Sequence, residues 1–183
     1  IVDYLQEKKI PTLVAWTSKQ EGRLPSIGFD NFLAMSKLVE YIFSLGHTKI
    51  GMISALIKYN DRARERVRAV KHVMSKQGLN PDELILIETH YSIKTGALAF
   101  DEIMKHPKQP TVVICGNDVL AAGAIKQAKS LGLSIPKDIS ITGFDDIEIS
   151  CIITPMLTTV HVPHQEMGRK AALTIINMLS GNH

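Results

Sequence analysis

One pattern repeats along this chain: a short β-branched run, a loop, an amphipathic helix, then glycine and the next run. The runs fall at 13–15, 26–29, 49–54, 84–88, 111–115 and 139–143, with a last apolar stretch near 157–160. They are apolar throughout rather than alternating, which predicts strands covered on both faces, the mark of a parallel sheet. The segments between them predict helices at 31–45, 61–77, 92–105, 118–131 and 165–179. Asn31, Asn60 or Asp61, and Asn117 stand where N-caps belong, and Gly46, Gly78 and Gly132 stand where helices stop. A polar loop with Gly22 and Pro25 separates the first two runs, and the N-terminal residues read as part of a helix already under way. Strands alternating with helices in this way define an α/β fold with helices on both faces of the sheet.

Composition narrows the function classes. The chain has 183 residues, 45% hydrophobic and 21% charged, as ordinary globular domains do. A net charge of +3 is too mild to demand a nucleic-acid surface. The basic stretch from Arg62 to Lys71 has no interleaved aromatics, so it reads as a solvated helix face. Cys115 and Cys151 show no metal or redox spacing; Cys115 closes an apolar run and reads as a small buried hydrophobe. A reducing cytoplasm is the expected compartment. No stretch is apolar and long enough to span a bilayer as a helix. His161 and His164 lack the further ligands a zinc site needs, so neither a metal nor a cofactor is expected. Walker, G-x-G-x-x-G and G-x-S-x-G patterns are missing, and no Ser or Cys has a base suggested nearby, so an enzyme is not expected.

In open parallel sheets, ligands bind beyond the carboxyl ends of the strands. The residues there are Trp16, then Phe29 and Asp30, Tyr91, Asn117-Asp118, and Phe144-Asp145-Asp146, with Arg66 in the first turns of the helix after the third run. Aromatic faces beside carboxylate, amide and guanidinium suit a small polyhydroxylated or heterocyclic ligand. Arg66 carries the most information. At 3.6 residues per turn it falls within the apolar stripe of Ala63, Val67, Val70, Val73 and Met74, and a charge on a buried face needs a partner. Two readings stay open for it, an internal ion pair to an aspartate or a ligand contact. Asp145 and Asp146 read equally as an Asx-turn or as ligand contacts, Asn117 as an N-cap or a contact, and Trp16 and Tyr91 as core aromatics or a stacking wall.

Four segments in order are recognisable together. They are 45–51 (LGHTKIG), 116–124 (GNDVLAAGA), 132–146 (GLSIPKDISITGFDD) and 155–160 (PMLTTV), spread over nearly the whole chain. In that order they resemble the LacI/GalR family of transcriptional regulators. The resemblance implies a type I periplasmic-binding-protein-like fold, with two Rossmann-like lobes closing on a small effector. It places Trp16, Phe29, Arg66, Tyr91, Asn117 and Asp145 in the effector pocket, with Trp16 standing where sugar-binding members often carry a polar side chain. It also implies residues 30–161 as the C-terminal lobe, and 1–29 with 162–183 as an incomplete N-terminal lobe. The family's helix-turn-helix headpiece and final crossing segment are not in this sequence. The expected protein is therefore the effector-sensing core of a regulator, most often a repressor. It would be a cytoplasmic homodimer that responds to a sugar or nucleobase-like molecule and reaches DNA only through the headpiece. A sugar-binding receptor of a transport system shares the fold and is the alternative; an α/β enzyme is the third class.

Overall fold

A computed structural model describes residues 2–17 and 24–180. The polar loop around Gly22 and the terminal Asn182-His183 lie outside them. The chain divides into two compact units, residues 1–31 with 163–183 and residues 32–162.

The first unit contains helix α1 (Val2–Glu7), strands β1 (Val14–Ala15) and β2 (Ser26–Ile27), and helix α7 (His164–Leu179). The two strands are parallel, with Val14 opposite Ser26 and Ala15 opposite Ile27. β1 is followed by Trp16, a non-glycine residue at φ +75. Its backbone N–H donates to Ile27 O and its carbonyl accepts from the Asn31 side-chain amide.

The second unit contains all of α2 (Asn31–Ser44) but its first residue, and Asn31 is already helical rather than capping. It continues with β3 (Ile50–Ala55), α3 (Asp61–Lys76), β4 (Ile85–Thr89), α4 (Ile93–Met104), β5 (Val112–Cys115), α5 (Asp118–Ser130), β6 (Ser140–Thr142) and the short α6 (Ile149–Ile152). Asn60, Ser92 and Asn117 cap α3, α4 and α5 through their side-chain oxygens. Gly46, Gly78 and Gly132 follow helix ends at φ between +75 and +88, where a side chain would be strained. The strands form one all-parallel sheet in the order β4-β3-β5-β6. Every residue of β3 and β5 is buried, as their continuous apolar sequences require. The run at 157–160 contributes only isolated parallel bridges, Thr142 to Thr158 and Asp145 to His161.

Strand order fixes where a ligand can enter. The connection through α3 steps from β3 to one side, whereas those through α4 and α5 lead to the other. Right-handed crossovers therefore put α3 on one face of the sheet and α4 and α5 on the opposite face. One core joins Ile53, Val113, Cys115 and Ile141 to Phe100 and Ile103 of α4 and to Leu120, Ala124 and Ala128 of α5. Burial raises the Cys115 thiol well above its ordinary pKa, so it is an inert hydrophobe. On the other face Met35, Val39 and Ile42 of α2 and Val67, Val70 and Val73 of α3 are buried. The order reverses between β3 and β5, and a crevice opens at such a switch point beyond the strand ends.

Candidate functional site

The carboxyl ends of β3, β5 and β6 bring three separate stretches of sequence together. α3 begins six residues after β3, so its first turns stand beside the switch point. The apolar stripe of α3 is buried as its periodicity requires, and Arg66 is buried with it at 5% exposure. An unpaired guanidinium there would be costly. Arg66 Nη1 donates to the Gly116 carbonyl at 2.6 Å, immediately after β5, and Nη2 lies 3.5 Å from Asp145 Oδ1, after β6. Its Cζ stands 3.6 Å from the centre of the Phe144 ring, a cation–π contact. Desolvation lowers the Arg66 pKa, against the opposing influence of Asp145 and then Tyr91. The guanidinium stays charged, since arginine is not deprotonated in proteins.

Asp145 and Asp146 have φ of +109 and +55, values that cost energy in non-glycine residues. What holds them is a set of bonds around Asp118, which the sequence places at a strand end but outside the expected effector pocket. Asp118 is fully buried. Its Oδ2 accepts from the Ile147 amide at 2.9 Å and its Oδ1 accepts from the Thr159 hydroxyl at 2.6 Å, while its own amide donates to Phe144 O. Burial raises the Asp118 pKa, and the bonds from Thr159, Ile147 and the Phe144 backbone oppose that rise. Gly143 is required beside it, because a Cβ there would run into the Asp118 carboxylate and Leu157. Asp146 accepts from Ser150 Oγ at 2.9 Å and meets His161 Nδ1 at 2.8 Å. Backbone bonds from Asp145 N to Val160 O and from Val162 N to Asp145 O complete the clamp.

The six residues singled out by sequence divide between the two units. Arg66, Asp145, Tyr91 and Asn117 lie in the second unit at strand carboxyl ends. Arg66 and Asp145 meet directly, so the ion-pair reading of Arg66 is realised, and its partner is itself a candidate contact. Tyr91 is 45% exposed, which sets aside the core-aromatic reading. Asn117 caps α5, its Oδ1 accepting from Leu120 N at 2.9 Å, and its Nδ2 has no acceptor among the described residues. Trp16 and Phe29 lie in the first unit and are half-buried. The Trp16 ring lies 5.1 Å from that of His164, tilted by 54°. Among the described residues no group of three or more His, Cys, Asp or Glu could hold a metal ion, and no helix is long and apolar enough to cross a membrane.

Comparison with known proteins agrees with this fold. The sequence pattern of the periplasmic binding protein-like domain matches residues 39–183. The HTH-type transcriptional repressor CytR of Escherichia coli K12 is 31% identical over 179 residues, 97% of this chain and 52% of the repressor. The HTH-type transcriptional repressor PurR of Vibrio atlanticus is 34% identical over 134 residues, covering 72% of this chain and 39% of that protein. The chain thus spans about half the length of the curated relatives it matches, or less. A solved LacI family transcriptional regulator from Enterococcus faecium, crystallised with bound ribose, superposes with a TM-score of 0.88 at 28% identity. That match covers 97% of this chain and 65% of the other.

Proposed function

The chain belongs to the periplasmic-binding-protein-like domain family, with LacI-type regulators as its relatives, and from that premise we propose that it is the effector-sensing core of such a regulator. It binds a small molecule, a sugar or a nucleobase-like compound, and acts by binding rather than by turnover. The whole protein is a cytoplasmic homodimer that represses transcription through a DNA-binding segment, and effector binding changes its affinity for the operator. Such a switch needs differential effector affinity for the two states, typically about 1–3 kcal/mol.

The observation that carries the reading is the buried Arg66 joined to both Gly116 O and Asp145 at the strand ends. Two non-glycine residues at positive φ stand in the same loop, and held strain of this kind concentrates at ligand sites. Arg66 positions Asp145, whose carboxylate accepts from ligand hydroxyls; Asn117 offers Nδ2 and Tyr91 an exposed ring. Trp16 and Phe29 enter as effector contacts through the family resemblance.

A thermal-shift screen of the protein against sugars, sugar phosphates, nucleosides and nucleobases tests this. A true effector at a hundred times its Kd stabilises by about 2.7 kcal/mol, and Asp145→Ala diminishes the shift. The same effector must alter operator binding by the full-length protein. No shift from any compound, or a shift that Asp145→Ala and Arg66→Ala leave intact, overturns the assignment.

A further inference from the structure

Arg62 belongs to the basic stretch that sequence reads as a solvated face, and its surroundings do not fit that description. It lies one turn before Arg66 on α3, and residues four apart share a helix face. Arg62 is half-buried, whereas Arg64 and Arg68 are exposed. Both exposed arginines are engaged: Arg64 Nη1 donates to Ile57 O at 3.1 Å, and Arg68 pairs with Glu65 at 2.6 Å and stacks 4.0 Å from the centre of the Phe32 ring. Arg62 has no hydrogen bond or ion pair among the described residues.

The carboxylates that could answer it are committed elsewhere. Glu65, three residues on, holds Arg68. Glu88 accepts from the Ile57 amide at 2.8 Å, Asp145 faces Arg66, and Asp146 is taken by Ser150 and His161. Asp61, at the start of the helix, is exposed and makes no ion pair with Arg62. Arg62 also lies close enough to Arg66 that its charge opposes that of the buried guanidinium. A half-buried cation beside a second cation, with no carboxylate bonded to it among the described residues, leaves a positive charge unanswered at the mouth of the candidate site.

We propose that Arg62 recognises an oxyanion on the effector, a phosphate or carboxylate carried by a sugar-like molecule, while the Arg66–Asp145 pair reads its hydroxyl groups. This rests on the effector-sensing reading and names its ligand class. Guanidinium suits the task, since its planar fork matches phosphate and carboxylate oxygens in pairs.

The test is calorimetric titration of the full-length protein with matched compounds: ribose against ribose 5-phosphate, and glucose against glucose 6-phosphate and gluconate. The phosphate and carboxylate arms tell the two anions apart. The preferred anionic compound binds at least about tenfold tighter than its neutral counterpart. Arg62→Ala abolishes that margin while leaving the neutral compound's Kd in place, and Arg62→Lys restores part of it. A neutral compound binding as tightly as its anionic partner, or a margin that survives Arg62→Ala, overturns this inference and leaves the effector-sensing reading standing. Failure of every compound in this series to bind overturns this inference, and the wider thermal-shift screen alone decides the effector-sensing reading.

Discussion

Two loops that follow strands of the same sheet are held in opposite ways. The loop after β6, residues 143–147, is fastened from inside, by buried Asp118, by Thr159, by backbone bonds to the 160–162 stretch, and by Arg66 on one of its aspartates. The loop after β3, residues 56–60, is fastened from outside. Its bonds, Ile57 N to Glu88 and Arg64 to Ile57 O, are exposed, and Tyr59 is 87% exposed under the Lys58 ammonium. Hydrogen bonds of similar length therefore carry different weight. A buried group that loses its partner bears the full desolvation cost, whereas water replaces an exposed partner. The difference suits a sensor, with one wall of fixed polar geometry and one able to adapt.

Asp118→Ala attacks the fixed wall at its centre and carries the largest expected effect. It strands the Ile147 amide and Thr159 hydroxyl, for a loss of about 3 kcal/mol in urea unfolding. A loss below about 1 kcal/mol would show that the loop needs no internal brace. Titration sharpens the same point. The ordinary carboxyl value is 3.8, and burial places the folded value above it. The native state then holds its proton more tightly between the two values, so this contribution to stability is complete below pH 3.8 and is lost as pH rises through the folded value. Wild-type stability minus that of Asp118→Asn should fall over that interval; a difference that rises with pH contradicts the assignment.

Arg66→Ala comes next, at about 2 kcal/mol, with weakened effector binding. Breaking a fully buried pair costs more, about 3–5 kcal/mol, but the Asp145 side chain is 20% exposed and water can rehydrate it. A variant that unfolds early yet binds normally at low temperature would make Arg66 a structural residue alone.

Asp145 separates binding from strain. Asp145→Ala and Asp145→Gly both remove the carboxylate, and each should weaken effector binding by about 1.5–3 kcal/mol. Only glycine relieves φ +109, so the Gly variant should be the more stable of the two by about 1 kcal/mol in paired unfolding curves. Equal stabilities would mean that the loop carries no backbone strain at this position.

The fixed wall was the harder one to read from sequence, and the reason is physical. Burial of Arg66 follows from a 3.6-residue period, a local property, and the β/α alternation with its caps and glycine stops is local too. The partner of Arg66 lies 79 residues away, and no local pattern selects Asp145 over Asp146. Asp118 gave a misleading signal. An acid in the first turn of a helix ordinarily faces water and favours the dipole, and only the packing of Gly143 and Thr159 against it makes it a buried brace. The stretch at 157–160 is apolar like the true strands but meets β6 only through isolated bridges, since β-propensity yields to the pairing available. α6 has four residues and leaves no periodic trace.

The smallest expected effect completes the contrast. Arg64→Ala and Glu88→Ala each remove a bond that ties the 56–60 loop to another element, yet each should change unfolding free energy by less than about 0.5 kcal/mol. Exposed partners are replaced by water, and a long side chain released from one geometry regains entropy. The combined variant should cost the sum of the two, since the bonds use different atoms of Ile57. A loss in the double variant approaching that of Asp118→Ala would mean that this loop is as firmly built as the other. The division of the site into a fixed and an adaptable wall would then fall.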